Sequence, residues 1–299
     1  MKLKDILSFI KIEHTLFSLP FILIGYIIAI EQFPDTNSNI LWIFFAAIGA
    51  RGLAMTLNRI IDKDIDASNP RTKNRHLISG SISIRGAWIL SIMFFLILII
   101  GAGMLNKVAL MMSWLPVLVF FIYPYTKRFT WLCHLWLGTC LALAPAGAWL
   151  AVAADVHGWS AITGISEGYT GLLWFPKIFF ISIGVMLWIT VFDINYAKMD
   201  IKNDKKNGIH SFPARFNEKV TTRTSIQLTL LWFACFAIAD PINEIWFILT
   251  AGIMALVNIY VILSQEKFDD FQNILFRVSM STGWLLLISL ILGSMKLIS

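Results

Sequence analysis

Asn58, Asp62 and Asp66 follow one another at four-residue spacing in the stretch Asn58-Arg59-Ile60-Ile61-Asp62-Lys63-Asp64-Ile65-Asp66, directly after the apolar run 40–57. Residues four apart share a helix face, so the three form one oxygen-rich stripe. Carboxylates in that register repel, and they are costly at a membrane boundary unless something compensates them. Mg²⁺ would do so, since it prefers oxygen ligands and is usually shared between one or two carboxylates and a phosphate. Alone, the stretch reads equally well as a solvated helix end.

A second group tips the balance. Asp200 and Asp204 are again four apart, and Asp193 lies seven before Asp200. Independent solvated ends have no reason to repeat one spacing, whereas cations bridging a diphosphate need carboxylates from two sides. Asp193 itself reads either as a ligand or as support behind the ligands. Arg51, seven residues before Asn58, lies inside an apolar run. It either pairs with the motif carboxylates or meets an anionic substrate. Arg71 and Arg75 occupy a polar loop that Pro70 keeps from continuing the helix; they are solvated loop residues or bidentate phosphate ligands. Tyr123, Lys127 and Arg128 form a cluster that is ordinary at a membrane interface. His14 reads as an interfacial residue ahead of a catalytic one, and the segment 208–216 is placed to close over a site.

These residues need elements that cross a membrane. The 299-residue chain is 58% hydrophobic and 14% charged, with a mean hydropathy of +0.73, which excludes a water-soluble domain. Apolar runs near 15–30, 40–61, 86–105, 108–123, 131–153, 178–196, 225–239, 245–263 and 278–297 predict an all-α polytopic bundle of about nine transmembrane helices. The first and seventh are expected to be the shortest, Pro20 to kink the first, and residues 1–299 to form a single domain. Spans one to four and five to eight hint at a duplication without establishing it. No cleavable signal peptide is apparent. Cys133, Cys140 and Cys235 fall in apolar runs and read as packing residues. The net charge of +6 reflects membrane topology and not nucleic-acid binding. Lys and Arg concentrate in alternate loops, so the N-terminus is expected in the cytoplasm with both acidic groups facing it.

Together these residues resemble the UbiA prenyltransferases. Asn58, Asp62 and Asp66 match that family's N-x-x-x-D-x-x-x-D motif, and Asp200 and Asp204 its D-x-x-x-D motif. Tyr123-Pro124-x-x-Lys127-Arg128 is similar to its tyrosine-lysine element, and Arg71-Thr72-x-Asn74-Arg75 to the loop after its first motif. The resemblance implies nine helices around a central cavity opening to lipid, and transfer of a polyprenyl group from its diphosphate to an acceptor, commonly an aromatic ring. It implies Mg²⁺ on Asn58, Asp62, Asp66, Asp200 and Asp204, with Tyr123, Lys127, Arg71 and Arg75 on the diphosphate and Arg51 on an acceptor carboxylate. Arg128 and Asp193 are further substrate-binding candidates. Arg59 departs from the second acidic residue of many 4-hydroxybenzoate enzymes. With Gly208–Phe216 it looks more like the menaquinone-pathway branch, so the acceptor stays open between 4-hydroxybenzoate and that branch. A haem O synthase would call for more than the five histidines present, none of which is paired on a span. A cation-coupled transporter is the competing class. The expected partners are the lipid bilayer, a polyprenyl diphosphate and an aromatic acid, with no obligate protein partner.

Overall fold

The computed structural model describes residues 3–11 and 15–298; His14 lies outside the described residues. Among them the chain is helical without strands. Its order is α1 (Leu3–Phe9), α2 (Thr15–Gln32), α3 (Ile40–Ile61), α4 (Lys63–Ser68), α5 (His76–Ser79), α6 (Ile84–Leu105), α7 (Lys107–Met112) and α8 (Trp114–Thr126). There follow α9 (Cys133–His157), α10 (Ser160–Thr163), α11 (Lys177–Tyr196), α12 (Ile201–Lys206), α13 (Phe212–Arg215), α14 (Glu218–Ala239), α15 (Ile245–Leu263) and α16 (Phe271–Ile298). Nine helical stretches among the described residues are long and apolar enough to cross a membrane. They overlie the nine predicted runs, the ninth beginning at Phe271 instead of 278, where Asp270 accepts the Asn273 N–H.

The boundaries follow local chemistry. Asn39, Ser83, Asn106 and Asn217 accept backbone N–H groups at the starts of α3, α6, α7 and α14, as good N-caps do. The cap at Asn217 starts the seventh span at Glu218 instead of 225, so at 22 residues it is not among the shortest. A polar first turn extends it beyond its apolar run. The fourth span breaks at Ser113 because Pro116 has no N–H to give the Met112 carbonyl. In contrast, α2 runs unbroken through Pro20.

Helices meet where side chains are smallest, as expected where lipid removes the hydrophobic drive for association. A Cβ on Gly49 would sit 2.3 Å from the Leu98 backbone nitrogen of α6, and one on Gly138 2.2 Å from the Met186 carbonyl of α11. The core joining α2, α11, α14 and α15 is aromatic, with Phe21, Trp188, Trp232, Phe236 and Phe247 essentially inaccessible. Asn195 hydrogen-bonds Ser225, and Asn258 hydrogen-bonds Thr282, so the last three spans are tied in by polar contacts as well as packing. Exposed apolar side chains such as Ile89 and Leu256 point outward, toward lipid in a multi-pass membrane protein.

Both acidic groups sit where a spanning helix breaks. Asp62 (φ −91°, ψ 4°) closes α3 and opens α4. The register nevertheless persists, because Asp62 N–H donates to the Asn58 carbonyl at 3.0 Å and Asp66 N–H to that of Asp62 at 2.8 Å. On the other side, a 3₁₀ turn (Ala197–Asp200) separates α11 from α12. Each group therefore straddles a break in the helical hydrogen-bonding at the end of its span.

Candidate active site

Between the helices lies a cavity of about 630 Å³. On α9 its lining runs from Cys133 to Ala151, a helix length of roughly 27 Å. One end is polar, lined by Asn58, Asp62 and Asp66 from the first group and Asp193, Asp200 and Asp204 from the second. The rest is mainly apolar, with Ala47, Leu105, Met112, Leu141 and Ala144 on the wall and Arg51 and Ser113 among its polar side chains.

At the polar end each carboxylate is answered from another element. Asp62, 1% exposed, takes Lys127 Nζ at 2.5 Å and Asn58 Nδ2 at 3.1 Å on the same oxygen. Its other oxygen, Oδ1, accepts no hydrogen bond and has only Arg128 at 3.8 Å. Burial pushes this carboxyl above the usual carboxylate range, and the adjacent Lys127 charge pulls it partly back. Asp66 pairs with Arg75. Asp200 is clasped bidentately by Arg71, through Nε at 3.2 Å and Nη2 at 2.6 Å, and also receives Asn69 Nδ2 at 2.9 Å. The turn holding these arginines is itself fixed, since Thr72 Oγ1 donates to the Asp66 carbonyl at 2.8 Å. The loop after the first group thus reaches across to the second.

Asp204 accepts from Ser211 Oγ at 2.5 Å. The next residue, Phe212, donates its N–H to His134 Nε2 at 3.0 Å, and His134 Nδ1 lies 2.6 Å from Asp193 Oδ2. With Nε2 accepting there, Nδ1 is the nitrogen placed to donate to Asp193. The His134 side chain is buried and joins three parts of the chain: α9, α11 and the segment after α12. His210 N–H adds a bond to the Lys127 carbonyl at 2.8 Å. The segment 209–216 is therefore anchored to both sides of the polar end.

Of the residues singled out in the sequence, Arg51, Asn58, Asp62, Asp66, Arg71, Arg75, Tyr123, Lys127, Asp193, Asp200 and Asp204 all line this cavity. Arg128 is placed differently. It lies beside the lining, donates to the Ile61 carbonyl at 2.7 Å and stacks over Tyr125. There it satisfies a carbonyl that the end of α3 leaves open. His134, Asn69 and Ser211 were not assigned roles from the sequence. Their partners are 78, 131 and 7 residues away, and only the last spacing is local enough to suggest itself.

A magnesium site can be tested against these residues. Among the described residues no three of His, Cys, Asp and Glu gather around one point. One carboxylate oxygen, Asp62 Oδ1, is buried and accepts no hydrogen bond, and every other donor in the two groups is a hard oxygen. Such a set suits an ion that takes one or two protein ligands and completes its shell from water and phosphate.

The UbiA prenyltransferase family model matches residues 18–282. The chain belongs to the UbiA prenyltransferase family. It is an enzyme, a polyprenyltransferase, which removes the transporter reading. A 4-hydroxybenzoate octaprenyltransferase of Vibrio atlanticus is 26% identical over 253 residues, covering 83% of this chain and 82% of that protein. A 4-hydroxybenzoate geranyltransferase 2 of Lithospermum erythrorhizon is 30% identical over 63% of this chain and 55% of its own length. Among solved structures, the apo form of a UbiA homologue from Aeropyrum pernix K1 superposes with a TM-score of 0.75 at 27% identity, covering 94% of this chain and 98% of that one. A UbiA homologue from Archaeoglobus fulgidus bound to GPP and Mg²⁺ shares the fold, with a TM-score of 0.66 at 16% identity over 95% of this chain and 99% of that one.

Proposed function

We propose that this UbiA-family enzyme transfers a polyprenyl group from its diphosphate to an aromatic acid such as 4-hydroxybenzoate, with Mg²⁺, in quinone biosynthesis. The observation that carries the reading is one cavity with two facing acidic groups at its polar end and a long apolar wall beyond. A charged head and an apolar tail of one donor fit those two regions. The relatives named for 4-hydroxybenzoate support the acceptor class. Concentration of basic residues in the loops that flank both groups supports a site facing the cytoplasm, with the N-terminus on that side.

Asn58, Asp62, Asp66, Asp200 and Asp204 are the residues that would hold Mg²⁺, which when bound neutralises the diphosphate leaving group. The chain's own residues do the rest. Arg71, Arg75 and Lys127 are each parked on a carboxylate, and once the carboxylates have another partner these three are free to bind phosphate oxygens. Tyr123 supports the same end of the cavity. The apolar wall excludes water from the allylic cation, and Arg51, two turns deeper on α3 than Asn58, holds the carboxylate of the acceptor. His134 fixes Asp193 and the segment carrying Ser211, so it acts as a positioning residue.

The test is transfer of a radiolabelled prenyl chain to 4-hydroxybenzoate by the purified protein in detergent, with Mg²⁺ or with EDTA. Product is expected with Mg²⁺ only. Product with a hydroxynaphthoate and none with 4-hydroxybenzoate would move the acceptor to the menaquinone branch, and equal product in EDTA would remove the metal. In the same assay His134→Ala is expected to lower turnover roughly 10–100-fold, the usual cost of losing a supporting shell. His134→Gln, which keeps a donor and an acceptor, should recover part of it.

A further inference from the structure

Arg59 stands apart from every other cation at the polar end. It lines the cavity, is 5% exposed, and its Nε and Nη1 have no hydrogen-bond partner. Arg71 has Asp200, Arg75 has Asp66 and Lys127 has Asp62. A buried guanidinium without a partner is expensive, and such groups are kept where something else supplies the charge. The shape and charge of the group specify that partner, because a planar fork of N–H donors matches the oxygens of a phosphate or carboxylate. Position separates the two. Arg59 adjoins Asn58 and lies one turn from Asp62, at the end where both acidic groups meet, whereas the acceptor's carboxylate is assigned to Arg51 two turns deeper.

We infer that Arg59 is a standing binding residue for the donor's diphosphate, engaged before and independently of divalent metal. The inference rests on the prenyl-diphosphate reading above. Arg71, Arg75 and Lys127 each already neutralise a carboxylate, so their full charge reaches a phosphate only when metal takes their place. Arg59 has no carboxylate to leave. It gives the cavity a metal-independent first contact for the leaving group and the last contact for released pyrophosphate.

The experiment titrates inorganic pyrophosphate into the full-length protein in detergent at constant ionic strength, in EDTA and in Mg²⁺. Binding and thermal unfolding are read for wild type, Arg59→Met and Arg59→Lys. Wild type is expected to bind and be stabilised in EDTA, and to bind more tightly in Mg²⁺. Arg59→Met should lose binding in EDTA and weaken it roughly tenfold in Mg²⁺, the effect of one charge-assisted contact. Arg59→Lys should fall between, as a point charge replaces the fork. Without pyrophosphate, Arg59→Met should unfold at the wild-type temperature or above it, since an unpaired buried charge has been removed. A purely structural arginine would instead leave its methionine variant less stable and equally able to bind. Wild-type binding in Mg²⁺ alone, or equal binding by Arg59→Met in EDTA, overturns the inference and leaves the prenyl-diphosphate reading standing. No binding under either condition overturns both.

Discussion

Asp62→Asn is expected to reduce prenyl transfer roughly 10³-fold or more, on the scale of removing a principal source of charge stabilisation from a buried site. The carboxylate is 1% exposed, and one of its oxygens accepts no hydrogen bond. It is therefore the best-placed oxygen in the first group for a cation. The amide keeps the shape but offers neither the charge nor a second acceptor. It also leaves the Lys127 ammonium, 24% exposed, facing a neutral group. A stability cost of about 1–3 kcal/mol follows from that lost partner, reduced by solvent reaching the lysine. Stability and activity can be separated by pairing Asp62→Asn with Lys127→Met. The double variant should recover thermal stability in detergent, because the ammonium that lost its partner is gone, while turnover stays absent.

Gly138→Val is expected to damage both the fold and the site. A Cβ at this position would meet the Met186 carbonyl at 2.2 Å and Thr190 Oγ1 at 2.7 Å. Backbone cannot move aside as a side chain can, so α9 and α11 must separate. Overpacking of this kind costs about 1–3 kcal/mol. The functional effect comes from what flanks the crossing: His134 lies one turn before Gly138 on α9, and Asp193 one turn after Thr190 on α11. Their 2.6 Å contact does not survive a shift of an ångström or more, so turnover should fall at least tenfold beyond the loss of folded protein. Gly103→Ala is the matched control. Its nearest new neighbour would be Leu110 at 3.7 Å, and alanine is the better helix former, so stability and turnover should hold. Thermal unfolding and turnover of both variants check the pair.

The spans could be read from the sequence because a bilayer imposes a length on every apolar run. All nine lie over the expected runs, and the seventh and ninth start seven residues early because Asn217 and Asp270 accept first-turn N–H groups beyond the apolar residues. The two acidic groups were equally legible, since a four-residue spacing is local information and survives the helix break at Asp62. What could not be read was who answers the carboxylates. Arg71 meets Asp200 of the second group, not the first group it follows in sequence, and Lys127 meets Asp62 from the fourth span. His134 sits in an apolar run with its partner 59 residues on. No local pattern marks it. Arg59 was visible as a departure from a motif, but its lack of a partner is a property of the packed molecule alone.

If the two acidic groups act together across one cavity, three carboxylate variants will separate them from their neighbours. Turnover with a labelled prenyl diphosphate, 4-hydroxybenzoate and saturating Mg²⁺ would be compared for Asp62→Asn, Asp200→Asn and Asp64→Asn. Asp64 belongs to the same acidic stretch but is exposed and outside the cavity lining. Loss of at least a hundredfold at Asp62 and at Asp200, with Asp64→Asn at the wild-type rate, is the expected result, on the scale of a removed electrostatic contact. Wild-type turnover by Asp200→Asn, or an equal loss in all three, would contradict a site built from both groups.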